Sequence, residues 1–298
     1  MSTEADNRYL ARISRKQLKA LEDTCRYAWD LHNGHMLPTL VKWASVAYRR
    51  HYKERYKSEP DDMSAVTGKL FMLAKELKEL GWETGALIDL RGDEIVEMQN
   101  PIAEADSHYM LLQMAEDFRR GLRLKKNDIR KTGKVLSVKR FDDSKGKPFY
   151  LVEMSHNQLQ FLSISCDSYA RFICGQLDFS LQNEVEDAWE KRHAKSAPLQ
   201  ENGHPDYGIG TEEWYVVRHG TEDIINEIRS LCWHCSRCSS YGVRYSDDSD
   251  IVWDMYEVFR HQLWLVRPED KKMNCTVDAF PAMQFGKEPL VRIGLVGE

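Results

Sequence analysis

Three thiols, an imidazole and a guanidinium fall within seven residues, Cys232-Trp233-His234-Cys235-Ser236-Arg237-Cys238. Thiolate and imidazole are zinc ligands, and Cys232 with Cys235 has the spacing of a redox pair. A structural zinc site, however, draws two ligand pairs from separate segments, and the chain has no second Cys-x-x-Cys. The cysteines recur every three residues on what reads as a helix end, where they can simply pack. The spacing favours reduced thiols, with no bound metal and no cofactor.

A second cluster, Phe259-Arg260-His261-Gln262-Leu263, is matched by Phe118-Arg119-Arg120-Gly121-Leu122. Arg260 offers a planar fork of five donors suited to phosphate, and His261 adds a donor or a stacking ring. An inter-helix salt bridge would use the same arginine equally well. The third cluster is Tyr169-Ala170-Arg171-Phe172-Ile173-Cys174-Gly175-Gln176-Leu177. A glycine inside a helix costs about 1 kcal/mol relative to alanine. Gly175 and its match Gly34 are therefore expected where another helix, or a ligand, comes close. Enzyme motifs are lacking: there is no P-loop, G-x-G-x-x-G, G-x-S-x-G or H-E-x-x-H. Glu212-Glu213 and Asp247-Asp248 are acidic pairs in polar stretches, and no nucleophile stands out with its base. The chain reads as a binder, not an enzyme.

The elements that would position these groups occur twice. Tyr9-Leu10, Ser14, Gln17-Leu18, Leu21, Cys25 and Gly34 recur 141 positions later as Tyr150-Leu151, Ser155, Gln158-Leu159, Leu162, Cys166 and Gly175. The same offset relates Met114, Glu116, Phe118, Arg119 and Leu122 to Met255, Glu257, Phe259, Arg260 and Leu263. Residues 8–51 give ten identities in 44 positions, and 106–124 give seven in 19. This predicts a tandem duplication, 8–148 and 149–298, in an α+β fold that forms a pseudo-dimer. Each copy opens with a strand (Tyr9–Ile13; Phe149–Met154) and an N-cap serine (Ser14; Ser155). A long helix then runs through Gly34 or Gly175 toward Tyr48 or Trp189. A late helix follows (Tyr109–Leu124; Ile251–Val266). The closing strand of the first copy, ending Lys147-Pro148-Phe149-Tyr150-Leu151-Val152, is expected to serve also as the opening strand of the second. In the middles, 52–105 and 193–246, the copies diverge; amphipathic helices are expected at Gly68–Leu80 and Thr221–Leu231, the latter starting at Thr221-Glu222-Asp223.

Composition bounds the rest. The 298 residues carry 42 Lys+Arg against 47 Asp+Glu, a formal charge of -5. That balance argues against non-specific coating of nucleic acid through phosphate contacts. No run reaches the ~18 apolar residues that a membrane span needs, and the start has no basic, then apolar, signal. Seven cysteines, an odd number, fit reduced thiols in the cytoplasm better than a disulfide framework.

The second copy resembles a widespread family of small proteins encoded by tailed phages. The residues that carry the likeness are Tyr169 to Gln176, Ser240-Tyr241-Gly242-Val243, Tyr256-Glu257-Val258-Phe259-Arg260-His261 and Glu288-Pro289-Leu290, in that order. The first copy is a degenerate relative, with Gly34-His35 in place of Gly-Gln, Asp30 in place of the motif arginine and Arg120 in place of the histidine. That family in turn resembles the phage anti-Thoeris sponge proteins, which sequester cyclic ADP-ribose isomers made by bacterial TIR-domain enzymes; members of that group also capture cyclic oligonucleotides. The resemblance implies an anti-defence protein of the infected bacterium's cytoplasm, built as a homo-oligomer. It would bind a cyclic nucleotide through Arg260, His261, Tyr241, Arg171 and Gln176, with Arg119 and Arg120 in the first copy. Arg260 would meet phosphate, and Tyr241 would stack on a base or ribose. Cys238 stands where the family pattern has asparagine, which leaves the ligand itself open. The competing expectation is an inhibitor that docks directly on a bacterial defence protein, since interfaces favour Trp, Tyr and Arg.

Overall fold

A computed structural model of the chain describes residues 7–32, 107–126, 134–176, 196–201, 203–233, 247–272 and 276–296, with scattered positions in 48–72 and 186–193. Its elements, in order, are β1 (Arg8–Ser14), α1 (Arg15–His32), α2 (Ser107–Leu122), β2 (Ser137–Asp142), β3 (Pro148–Ser155), α3 (His156–Ile173), α4 (Glu212–Trp233), α5 (Asp247–Leu265) and β4 (Arg292–Leu295). The fold is α+β. Its four strands form one antiparallel sheet in the order β2-β3-β1-β4.

Alternating side chains give the sheet one buried face. Tyr9, Ala11 and Ile13 of β1 are buried, as are Tyr150, Val152 and Met154 of β3. The β1–β3 register pairs Tyr9 with Met154, Ala11 with Val152 and Ile13 with Tyr150. Ala11 and Val152 are themselves 141 positions apart, so the repeat offset maps this ladder onto itself.

Both opening helices start on the same device. The Ser14 amide donates to Gln17 Oε1 (2.8 Å) and the Gln17 amide to Ser14 Oγ (3.2 Å). Ser155 and Gln158 repeat this at 2.8 and 3.3 Å. These are capping boxes, in which two otherwise orphaned N–H groups are satisfied reciprocally. Each glutamine then reaches outward, Gln17 Nε2 to the Pro289 carbonyl (2.7 Å) and Gln158 Nε2 to the Val135 carbonyl (3.0 Å). Past the caps, Leu18, Leu21 and Cys25 of α1 and Leu159, Leu162 and Cys166 of α3 are fully buried. Met114 and Phe118 of α2, with Met255 and Phe259 of α5, complete this core. Removing such a side chain from water is worth roughly 1.5–3 kcal/mol each.

Three sequence expectations are corrected. The long helix does not run through Gly175: α3 ends at Ile173, and Gly175 takes φ +84°. Its amide donates to the Phe172 carbonyl (3.0 Å) and that of Gln176 to Arg171 (2.9 Å), a Schellman closure that needs the left-handed conformation glycine tolerates. The first copy does not close on β3. Its closing strand is β2, which turns back at Asp143–Gly146 to pair with β3 as a hairpin. In the second half the closing strand begins only at Arg292. Ser137 faces Glu153 and Arg292 faces Arg12, so Ser137 and Arg292 correspond, 155 positions apart. Counted from the matched Leu122 and Leu263, the path to the closing strand is therefore fourteen residues longer in the second half. Finally, Thr221 does not start a helix. It lies within α4, where its hydroxyl donates back to the Val217 and Arg218 carbonyls (3.1 and 2.9 Å). Thr211 is the cap, accepting from the Trp214 amide at 3.2 Å, and Glu212 and Glu213 complement the helix dipole behind it. The expectations for Gly34, Gly68–Leu80 and the Ser240-Tyr241-Gly242-Val243 motif fall on residues outside those described, or largely so.

By compactness the chain forms two units. One comprises Met1–Trp29, Ile102–Ala170 and Gly242–Glu298; the other comprises Asp30–Pro101 and Arg171–Tyr241. The first holds the sheet, α2, α5, α1 as far as Trp29 and α3 as far as Ala170. The second holds α4, where Trp214 packs against Trp189 (ring centroids 5.3 Å apart) and the Trp189 indole donates to the Tyr207 carbonyl at 2.7 Å. Both units cut across 8–148 and 149–298, because each half gives its ends to the first unit and its middle to the second. Among the described residues, no helix is long and apolar enough to cross a membrane.

Candidate functional site

Among the described residues of the first unit, two clefts stand out. The larger, about 460 Å³, lies between α3 and α5. From α3 it is lined by Gln160, Phe161, Ser163, Ile164 and Asp167, and from α5 by Tyr256, Arg260 and Leu263; Arg267 and Asp278 close one side. The smaller, about 390 Å³, is lined by Arg15, Lys16, Lys19, Ala20 and Asp23 of α1, Leu122 of α2 and Asp248 of α5. Four lining positions correspond at the repeat offset: Lys19 with Gln160, Ala20 with Phe161, Asp23 with Ile164 and Leu122 with Leu263. The same helix faces thus make a cavity in both halves, furnished differently.

The chemistry of the larger cleft turns on Arg260, which is only 3% exposed. Its Nε donates to Glu257 Oε1 (3.1 Å) and its Nη2 to Glu257 Oε2, a two-pronged buried ion pair. Nη1 donates to the carbonyls of Val277 (2.5 Å) and Phe280 (3.0 Å). Glu257 in turn accepts the Met283 amide at 3.0 Å. The guanidinium therefore lines the cleft with its charge already balanced. Arg267 is the more available cation: its side chain is 37% exposed and stands 3.7 Å from the Asp278 carboxylate. Phe161 and Tyr256, both half-buried, supply ring surface. Gln160, Ser163 and Asp167 supply polar groups along the other wall.

The other residues singled out from sequence fall in several places. His261 follows Arg260 but turns its Nδ1 to the Asp278 carbonyl (3.0 Å) and stacks on Trp264 (ring centroids 5.9 Å apart, planes at 10°). Arg171 and Gln176 meet each other at 3.3 Å, across the Schellman closure of α3. Arg119, the counterpart of Arg260, is exposed. Arg120 is also exposed and pairs along its own helix with Glu116 (3.3 Å) and Asp117 (3.8 Å). Tyr241 and the Cys235–Cys238 stretch lie outside the described residues, as does the Cys232 side chain. Among the described residues, no cluster of three or more His, Cys, Asp or Glu side chains is placed to hold a metal ion.

Sequence reading missed Phe161, Arg267 and Asp278, which no motif distinguishes from ordinary helix and loop residues, and gave no role to Tyr256, although it stands in a quoted motif. It also passed over the partner of Arg260, although Glu257 and Arg260 sit at i and i+3, where helix side chains meet. In the smaller cleft Lys19 is held by Glu22 (3.1 Å) and Asp23 (2.7 Å). Burial works against its charged form, but these two carboxylates outweigh it and leave its pKa raised. Lys16 pairs with Glu288 at 3.0 Å.

Comparison of the chain with protein-family models, with curated proteins and with solved structures finds no match.

Proposed function

We propose that this protein is a phage-encoded anti-defence binder that sequesters a cyclic nucleotide immune signal without chemistry. The observation that carries the reading is the α3/α5 cleft. Its size falls among the ~300–1,000 Å³ pockets that take small molecules. It offers flat rings (Phe161, Tyr256) for a base, a half-exposed guanidinium (Arg267) for phosphate, and Ser163, Gln160 and Asp167 for hydroxyls. In this reading Arg267 faces the phosphate, and Arg260 holds the wall through Glu257.

A tandem duplication is part of the proposal. It is supported by the 141-residue offset, by a β1–β3 ladder that maps onto itself, and by two capping boxes and two clefts at matching positions. The chain would then fuse what a homodimer builds from two copies, with the infected cell's cytoplasm as its place of action. The inhibitor reading also has an observation behind it. Ile164 is 70% exposed beside the cleft and Phe280 is 61% exposed, so apolar surface is available for docking on a defence protein.

Calorimetry with cyclic ADP-ribose isomers and cyclic di- and trinucleotides tests the proposal, followed by heat release and mass analysis of the ligand. The expected result is tight binding, recovery of intact ligand, and a loss of roughly tenfold to a hundredfold in affinity for Arg267→Glu, on the scale of a charge-assisted hydrogen bond. Absence of binding across the panel overturns the sponge reading. Recovery of a linear or hydrolysed product would make the protein an enzyme instead.

A further inference from the structure

The segment between α5 and β4 is laid back over α5 in an inverted way. From Thr276 to Leu290 none of the described residues is buried, and Val277, Phe280 and Met283 are 45%, 61% and 51% exposed. Beneath this strap α5 presents Asp254, Glu257 and Arg260, exposed by only 1%, 1% and 3%. Apolar side chains thus face outward and ionised groups inward, the reverse of what burial favours.

Polar contacts to the strap backbone fasten it along α5. Arg260 holds the carbonyls of Val277 and Phe280, and His261 contacts that of Asp278. Glu257 accepts the Met283 amide. Asp254 accepts the amides of Phe285 (2.6 Å) and Gly286 (3.1 Å). A segment without buried side chains gains little from the hydrophobic effect, so it is the kind of segment that opens while the rest stays folded. Water replaces each lost hydrogen bond on opening.

We infer that residues 276–286 form a displaceable gate, which lifts from α5 as a unit and uncovers Glu257 and His261 together with Arg260, which lines the α3/α5 cleft. Lifting frees Arg260 Nη1 from two carbonyls. An anionic ligand in the cleft would then compete for that donor and hold the gate open. This ligand coupling rests on the cleft being the binding site, whereas the local opening does not.

Hydrogen exchange on the full chain, in mild denaturant and then with 1 mM cyclic ADP-ribose as the probe, separates the two. The amides of Met283, Phe285 and Gly286 are expected to exchange ~100-fold or more faster than those of the β1–β3 ladder. Equal rates, meaning that the strap opens only when the whole unit unfolds, overturn the gate. Arg260→Lys keeps the charge facing Glu257 but loses the fork, and is expected to raise strap exchange ~10-fold with the ladder unchanged. A parallel rise in both overturns the gate as well. If the probe binds and strap exchange stays the same, the coupling is wrong and the binder reading stands. If the probe fails to bind while the strap opens locally, the gate stands and the binder reading loses this ligand.

Discussion

The Tyr27 hydroxyl lies 3.0 Å from Ser168 Oγ, and the two residues are 141 positions apart. The same separation relates Ala11 to Val152, which face each other in the sheet, and Cys25 to Cys166, both fully buried. Residues at this one offset therefore meet at more than one place in the core. The likeness of the two halves is local: Tyr27 answers to Ser168, and the exposed Arg119 to the buried Arg260.

The two capping boxes provide a matched experiment. Gln17→Ala and Gln158→Ala each remove a side chain that caps a helix and holds a distant carbonyl. Each is expected to cost about 1–2 kcal/mol, or several degrees in Tm. The measurement is urea unfolding of both variants. Losses that differ severalfold would mean that the two devices are alike in geometry only.

Arg260→Ala strands the Glu257 carboxylate in a buried site. The expected destabilisation is about 3–5 kcal/mol, far above the cost of deleting the exposed counterpart Arg119. The double variant Glu257→Leu/Arg260→Met should recover much of the loss, because no unpaired charge remains. Chemical denaturation of the four proteins checks this, and a double variant worse than Arg260→Ala would contradict it.

Asp254 gives a pH dependence with a definite sign. Burial pushes its carboxyl above the usual 3.8, with Asp250 and Glu257 adding to the effect, while the amides of Phe285 and Gly286 pull it down. A carboxyl raised in the folded state holds its proton more tightly there than in the unfolded chain. Its contribution is therefore full below pH 3.8 and is lost as pH climbs through the raised value. The difference in Tm between wild type and Asp254→Asn, followed upward from pH 3, should move against the wild type over that window. A flat difference would remove Asp254 from the account.

Gly121 is packed on β2, where an added Cβ would come within 2.6 Å of Val138 Cγ1 and 3.3 Å of Leu18 Cδ2. Gly121→Ala should cost roughly 1–3 kcal/mol by overpacking, despite the better helix propensity of alanine. Val138→Ala in the same chain should restore part of it. Thermal melts of the two single variants and the double decide the matter.

Burial raises the Cys25 thiol well above its ordinary value, with Cys166 adding to it, and pushes Cys166 up to about 12. Neither should react with iodoacetamide at pH 8 in the folded protein, and both should after unfolding. Peptide mass mapping reads the result directly, and rapid native labelling of Cys25 or Cys166 would show that the helix seam opens.

Much of the scaffold was legible in the amino-acid order, because local rules set it. Alternating Tyr9, Ala11 and Ile13, the Ser14 and Ser155 caps and the Leu18-Leu21-Cys25 stripe each depend on near neighbours, and the strands and helices stand where they indicate. Gly175 was noticed for its position but misread, since an interior glycine and a terminating one look alike until the chain's next turn is known. The site depended on partners far away in the chain. Arg260 reads as a phosphate fork until Glu257 and the carbonyls of Val277 and Phe280 are brought around it.

By itself, then, the sequence determined two matched sets of strands, capped helices and apolar stripes, together with the absence of known enzyme motifs. The tertiary structure alone decided which strands pair, which charges neutralise one another and where cavities remain. Those outcomes depend on side chains and backbone groups that meet across long stretches of chain, and neither spacing nor propensity encodes which group will reach a given guanidinium first.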